Sequence, residues 1–161
     1  MTFASSDTKP NQGTVLVIED EPTERMLTRV HLEQAGYAVL EAEDAPEGLD
    51  LAHNNRPDLV ILDINLPTAS GFDVCRSLRA DPSLRQVPIL ISTGLDDTDS
   101  VAKAFTAGAS DFLTKPIVWA LLAYRVKFLL RGARVEQELA KANRAARAHA
   151  TARAENEQHY R

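Results

Sequence analysis

The stretch Leu59-Val60-Ile61-Leu62-Asp63 decides how this chain folds, because four apolar residues in succession run straight into a carboxylate. A strand with one wet face alternates apolar and polar residues. A strand without alternation needs cover on both faces, as in a parallel sheet between two helical layers. The same pattern recurs outward from this stretch. Residues 15–18 are an apolar run ending at Glu19, Asp20 and Glu21; residues 89–91 end at Ser92 and Thr93; a shorter strand at 111–113 meets Lys115 and Pro116. Residues 37–40 supply a fifth strand. Between them the spacing predicts helices over 22–35, opened by Pro22 and closed by Gly36, then over 45–54, 71–79 and 101–107, the last closed by Gly108. Strands alternating with helices give an α/β, doubly wound, five-stranded parallel sheet, since each right-handed crossover lays a helix on the sheet. From Ile117 helix-compatible residues run almost to the C-terminus, interrupted only by Gly132, so an extended C-terminal helix is expected.

The 161 residues, 44% hydrophobic and 25% charged, suffice for one domain and an appendage. One cysteine, Cys75, rules out an intrachain disulfide, and no apolar run approaches the roughly 20 residues a membrane span needs. The polar residues 1–13 resemble neither a signal peptide nor an anchor and read as a disordered lead-in, so the expectation is a cytoplasmic protein with no membrane partner. The net charge of -5 is uneven: residues 131–161 hold seven Lys and Arg against four Glu, leaving an acidic body. That argues against direct contact with nucleic acid, which requires a basic face.

The polar residues that follow the strands carry the chemistry. Glu19 and Asp20, Asp63, Thr93 and Lys115 each end a different apolar run, and in a parallel sheet those ends share one edge, where open α/β sheets bind ligands. Carboxylates crowded there repel by several kcal/mol unless a cation intervenes. An all-oxygen set suits Mg2+. Asp20 and Asp63 are the expected ligands, with Glu19 binding directly or through water and the backbone carbonyl of Asn65 completing the protein's share. No histidine or cysteine belongs to the set, which disfavours zinc. Such a cleft can run phosphoryl transfer, with Asp63 as the nucleophile, Lys115 pairing with a phosphoryl oxygen and the Thr93 hydroxyl donating to another.

At this point the residues closely resemble the receiver domains of two-component response regulators. The resemblance covers residues 14–131 and rests on the acidic pair Glu19 and Asp20, the central Asp63, the hydroxyl residue Thr93 and the Lys115-Pro116 dipeptide. The gaps of 43, 30 and 22 residues between Asp20, Asp63, Thr93 and Lys115 fit that family's spacing. The resemblance implies a flavodoxin-like sheet in the order 2-1-3-4-5, Asp63 as phosphoacceptor, a sensor histidine kinase or phosphotransfer protein as donor, and a cis Lys115–Pro116 bond. It also implies a switch in which Thr93 moves toward the phosphoryl group and Phe112 swings inward, remodelling the face of the fourth helix, fifth strand and fifth helix. Three residues depart from the family's pattern: Gly94 replaces the usual alanine, Ser70 an aspartate, and Phe112 lacks a tyrosine hydroxyl. Asn65 and Leu95 sit where the family tunes dephosphorylation.

Cys75, with Phe72 and Leu78 around it, reads as a buried structural thiol, and the four histidines receive no role. Trp119, Leu122, Val126 and Leu129 read as core and dimer face. Beyond them, Val135, Leu139, Ala142 and Ala146 form a thin a/d seam, so residues 132–161 are expected to be a helical connector or coiled-coil tail, pairing with a second chain or leading to an output domain. The segment 115–134 resembles receivers that precede diguanylate cyclase modules, whose catalytic motif is not found in this sequence. A homodimer is expected to form through the fourth helix, fifth strand and fifth helix face or through the tail. Two other functions are open to the same residues: a phosphohydrolase of the haloacid dehalogenase type, which wants Asp-x-Asp after its first strand where this chain has Asp63-Ile64-Asn65 after its third, and a dimerisation scaffold independent of phosphorylation.

Overall fold

The computed structural model of the chain describes residues 11–94 and 98–159. Strands β1 (Thr14–Ile18), β2 (Ala38–Ala42), β3 (Leu59–Asp63), β4 (Ile89–Thr93) and β5 (Asp111–Thr114) alternate with helices α1 (Pro22–Gln34), α2 (Ala45–Asn55), α3 (Gly71–Ala80), α4 (Thr98–Ala107) and α5 (Trp119–His159). Every strand pair is parallel, in the order β2-β1-β3-β4-β5. The chain winds outward from β1 to β2 and then returns to β3, so the crevice where strand order reverses lies at the carboxyl ends of β1 and β3.

Residue parity along the strands divides the core into two layers. Val15, Val17, Leu59, Ile61 and Leu90 face Leu32 of α1 and Leu122, Val126 and Leu130 of α5. Leu16, Ile18, Val60, Leu62, Ile89 and Ile91 face Ala52 of α2, Val74, Cys75 and Leu78 of α3, and Ala104 and Ala107 of α4. Both faces are therefore covered, which is why the strands lack alternation. Burying each Leu, Ile or Val contributes about 1.5–3 kcal/mol against conformational entropy. Close approach of α2 depends on Gly48, where a Cβ would stand 2.5 Å from Ile18 Cδ1.

The strands differ in extent from the apolar runs that announce them. β4 continues through Ser92 and Thr93, and β2 is displaced to end at Ala42, because strand length follows the partner: Asp63 pairs with Ser92, Thr93 with Thr114, and Ile18 with Ala42. Helix α4 starts at Thr98, ahead of the expected 101. Residues 1–10 of the lead-in, and Leu95, lie outside the described residues.

Gly132 does not interrupt α5, which runs for 41 residues, about 60 Å. One glycine costs about 1 kcal/mol relative to alanine, too little to break a helix of Ala, Leu, Glu and Arg anchored by Leu130. Past Arg134 the helix leaves the body, and residues 135–157 are all exposed. Three links tie α5 down: Arg125 Nη1 donates to Asp111 Oδ2 at 2.5 Å, Arg134 Nη2 donates to Gln12 O at 2.8 Å, and Trp119 stacks on His31 of α1 with ring centroids 4.2 Å apart.

Candidate functional site

The side chains at the carboxyl edge of the sheet are placed by where each strand stops. Asp63 is the last residue of β3 and Thr93 the last of β4; Glu19 follows β1 directly, and Lys115 follows β5, its backbone N–H donating to Thr93 O at 2.7 Å. The Lys115–Pro116 peptide is cis. Asp63 and Glu19 are buried at 5% and 6% exposure, Thr93 and Ser92 are also buried, and Asp20 stands in the open. Pro22 opens α1, whose first turn is capped by Glu21: its carboxylate accepts from Thr23 N at 3.1 Å and Glu24 N at 2.7 Å. Glu21 thus serves the helix end and stands apart from the site chemistry.

Lys115 Nζ draws the set together. It donates to Glu24 Oε2 at 2.5 Å, Glu19 Oε1 at 2.9 Å and Asp63 Oδ2 at 3.2 Å. The other Asp63 oxygen, Oδ1, accepts from the Asn65 backbone N–H at 3.0 Å. Behind Asp63 the chain folds back through a bridge between Asn65 and Ser70, and Ser70 caps α3. Gly71 then presses on the backbone of Asp63 and Ile64: a Cβ there would lie 2.6 Å from both Asp63 O and Ile64 Cα. The loop can close this tightly only around glycine.

Burial, and then the neighbouring Asp63 carboxyl, push Glu19 up from 4.5 to about 9. Burial works to lower the Lys115 ammonium, but hydrogen bonds to Glu24 and Glu19 and the charge of Asp63 together override it and hold the group above the usual lysine range. Glu24 is lowered, first by its hydrogen bond with Glu19 and also by Lys115. Glu19 Oε2 is buried with no hydrogen-bond donor among the described residues. An oxygen from each of Glu19, Asp20 and Asp63 lies within 4.8 Å of the others. Three carboxylates, one of which keeps an oxygen without a donor, open to water on the Asp20 side, fit a hard divalent cation that keeps part of its water shell, as Mg2+ does.

The structure therefore brings together Glu19, Asp20, Asp63 and Lys115 as the strand ends predict, with Thr93 beside them at the end of β4. Phe112 lies one strand further out, half-buried, its ring meeting Phe105 of α4 edge-on at 6.1 Å. Sequence reasoning missed Glu24. Its signal was its place in the first turn of a helix that starts at the site, because helical side chains lean toward the N-terminus and so over the cleft. His53, given no role, pairs with Asp81 at 3.0 Å on the surface.

Comparison with known proteins agrees with this geometry. The model of the response regulator receiver domain family matches residues 15–127. The chain is 40% identical over 117 residues to the DNA-binding dual master transcriptional regulator RpaA of a Synechocystis species, a match covering 73% of this chain and 48% of that one. It spans about half or less of the length of the first curated relatives it matches. Among solved structures, the signal receiver domain of a histidine kinase from Syntrophus aciditrophicus superposes with a TM-score of 0.70 at 37% identity, covering 74% of this chain and 91% of that one. The receiver domain of the sensor histidine kinase PA1611 from Pseudomonas aeruginosa, with magnesium coordinated in its active-site cleft, does so at 0.69 and 27%, covering 73% and 97%.

Proposed function

The chain belongs to the response regulator receiver family, and from that premise we propose that Asp63 accepts a phosphoryl group from the phosphohistidine of a sensor histidine kinase or phosphotransfer protein. The observation that carries the reading is Lys115 Nζ at 3.2 Å from Asp63 Oδ2, with Asn65 N–H holding Oδ1. One carboxylate oxygen is thereby oriented, and an ammonium stands where a phosphoryl oxygen would arrive. Asp63 oxygen forms a bond to phosphorus as the bond from phosphorus to the donor nitrogen breaks, and Lys115 turns from carboxylate to phosphoryl oxygen. Asp20, Asp63, Glu19 and the Asn65 carbonyl would hold Mg2+, which when bound neutralises charge on the transferring group. Thr93, buried at the end of β4, would rotate to donate its hydroxyl to the product.

From Asp63 the message leaves by Thr93 and Phe112 toward the face of α4, β5 and α5. Exposed apolar residues continue from that face along α5: Tyr124 and Phe128, stacked at 6.3 Å, then Val135 and Leu139, 58% and 61% exposed. We read the chain as a lead-in at 1–13, a receiver at 14–131 and a helical connector or coiled-coil tail at 132–161, the exposed stripe supporting a homodimer formed along it. The working environment is the cytoplasm, where donor kinases present phosphohistidine, and no described helix is long and apolar enough to cross a membrane. The receiver itself is a phosphoacceptor signalling domain, with any output chemistry carried elsewhere. A haloacid dehalogenase type hydrolase is disfavoured because Asn65 cannot act as the second, general-acid carboxylate.

Beryllofluoride, which mimics a phosphoryl group on a carboxylate, tests the reading. Titrated with Mg2+ into the full chain, it should perturb amide resonances of Asp63, Thr93 and the Phe112 face in wild type and leave Asp63→Asn unchanged. No response in wild type, or an equal response in the variant, would refute it.

A further inference from the structure

Lys115 is saturated. An ammonium has three N–H donors, and Glu24, Glu19 and Asp63 take one each, so a phosphoryl oxygen can be met only after a carboxylate lets go. Two of the three cannot easily leave. The side chains of Glu19 and Asp63 are 7% and 6% exposed and fixed at strand ends, whereas that of Glu24 is 40% exposed on the first turn of α1 and can swing into water. Glu24 also makes the shortest of the three contacts, 2.5 Å.

Charge points the same way. Glu19, Asp20, Glu24 and Asp63 set four carboxylates against one ammonium, so a bound divalent cation still leaves the fully ionised cleft one negative charge in excess. Phosphorylation then replaces the single Asp63 charge with roughly two negative charges on the phosphoryl group, which deepens the excess by about one. The two legs from Lys115 Nζ, 2.5 and 3.2 Å, keep the Glu24 and Asp63 oxygens within about 5.7 Å of each other. At that range one unit charge acts on another by about tenfold where the effective dielectric is around 40.

We propose that Glu24 is a positioning residue that brakes phosphoryl loading: its carboxylate occupies the ammonium the incoming group needs, and its charge opposes that group. The proposal rests on Asp63 being the phosphoacceptor. Removing the charge at residue 24 while keeping its shape should therefore speed loading, and the gain should depend on ionic strength as a contact or folding effect would not.

The test uses the full chain, saturating Mg2+ and acetyl phosphate, in which Asp63 oxygen bonds to phosphorus as acetate departs with the electron pair of the broken P–O bond. Initial rates are measured for wild type, Glu24→Gln and Asp63→Asn at low and high salt. The expected result is a rate about five- to tenfold above wild type in Glu24→Gln at low salt, a smaller ratio at high salt, and no labelling of Asp63→Asn. Labelling of Glu24→Gln at or below the wild-type rate, or a ratio indifferent to salt, overturns the brake while leaving the phosphoacceptor reading intact. A wild type that does not label overturns both.

Discussion

Substituting Glu19 by Gln should make the cation-free protein more stable. Glu19 is buried beside Asp63, its Oε2 meets no donor among the described residues, and its carboxyl is pushed from 4.5 up to about 9, burial being the leading cause. An acid held up in the fold binds its proton more tightly folded than unfolded. The resulting penalty is absent below 4.5, grows as pH rises through that value, and levels off above about 9. At pH 7 the ceiling is about 3.4 kcal/mol, from about 1.36 kcal/mol per pH unit over the interval above 4.5. Solvent reaching the cleft past Asp20 and Glu24 screens it to about 1–2 kcal/mol. Glutamine keeps the shape, can still accept from Lys115, and carries no charge to desolvate. The assay is thermal unfolding in EDTA: Glu19→Gln should melt about 3–8 °C above wild type at pH 7 and together with it near pH 4. Added Mg2+ should stabilise wild type more than the variant and close the gap. A variant that melts at or below wild type in EDTA at pH 7, or a gap as wide at pH 4, would refute the reasoning.

Arg79 donates to the carbonyls of Gly108, Leu84, Arg85 and Val87, the shortest at 2.6 Å, and to Ser110 Oγ; Arg79→Ala should lose about 2–4 kcal/mol in urea unfolding, with little recovery by lysine, which lacks the planar fork. Gly71→Ala should cost about 2–3 kcal/mol and slow loading of Asp63, because the added methyl meets backbone that cannot yield; unchanged melting and labelling would contradict that. Val135→Asp with Leu139→Asp should weaken self-association at least tenfold by analytical ultracentrifugation and leave melting of the body unchanged, since both side chains are exposed.

The parts of the molecule legible in the sequence share one physical origin. Leu59 to Leu62 had to be covered on both faces, the cover required crossover helices, and the crossovers required every strand to end on one edge, which gathered Glu19, Asp20, Asp63 and Lys115. What escaped depends on contacts between segments far apart in the sequence. Glu24 reaches Lys115 across 91 residues and from a helix, so a search of strand ends passes over it. Arg79 reads as an ordinary amphipathic helix residue until the turn at Arg85 and Val87 curls around it. The stack of His31 on Trp119 joins two helices that meet only because both cover the same side of β1 and β3. Strand limits were misjudged wherever the ladder outlasts the apolar run, as at Ser92 and Thr93, since pairing is decided by the neighbouring strand.

The most direct test is to map where phosphate goes. The full chain is incubated with Mg2+ and a small-molecule acyl phosphate, trapped by borohydride reduction, digested and sequenced by mass spectrometry. The account predicts modification at Asp63 alone, dependent on Mg2+, lost in Asp63→Asn and strongly reduced in Lys115→Ala. Modification at another carboxylate, or labelling of Asp63→Asn equal to wild type, would contradict it.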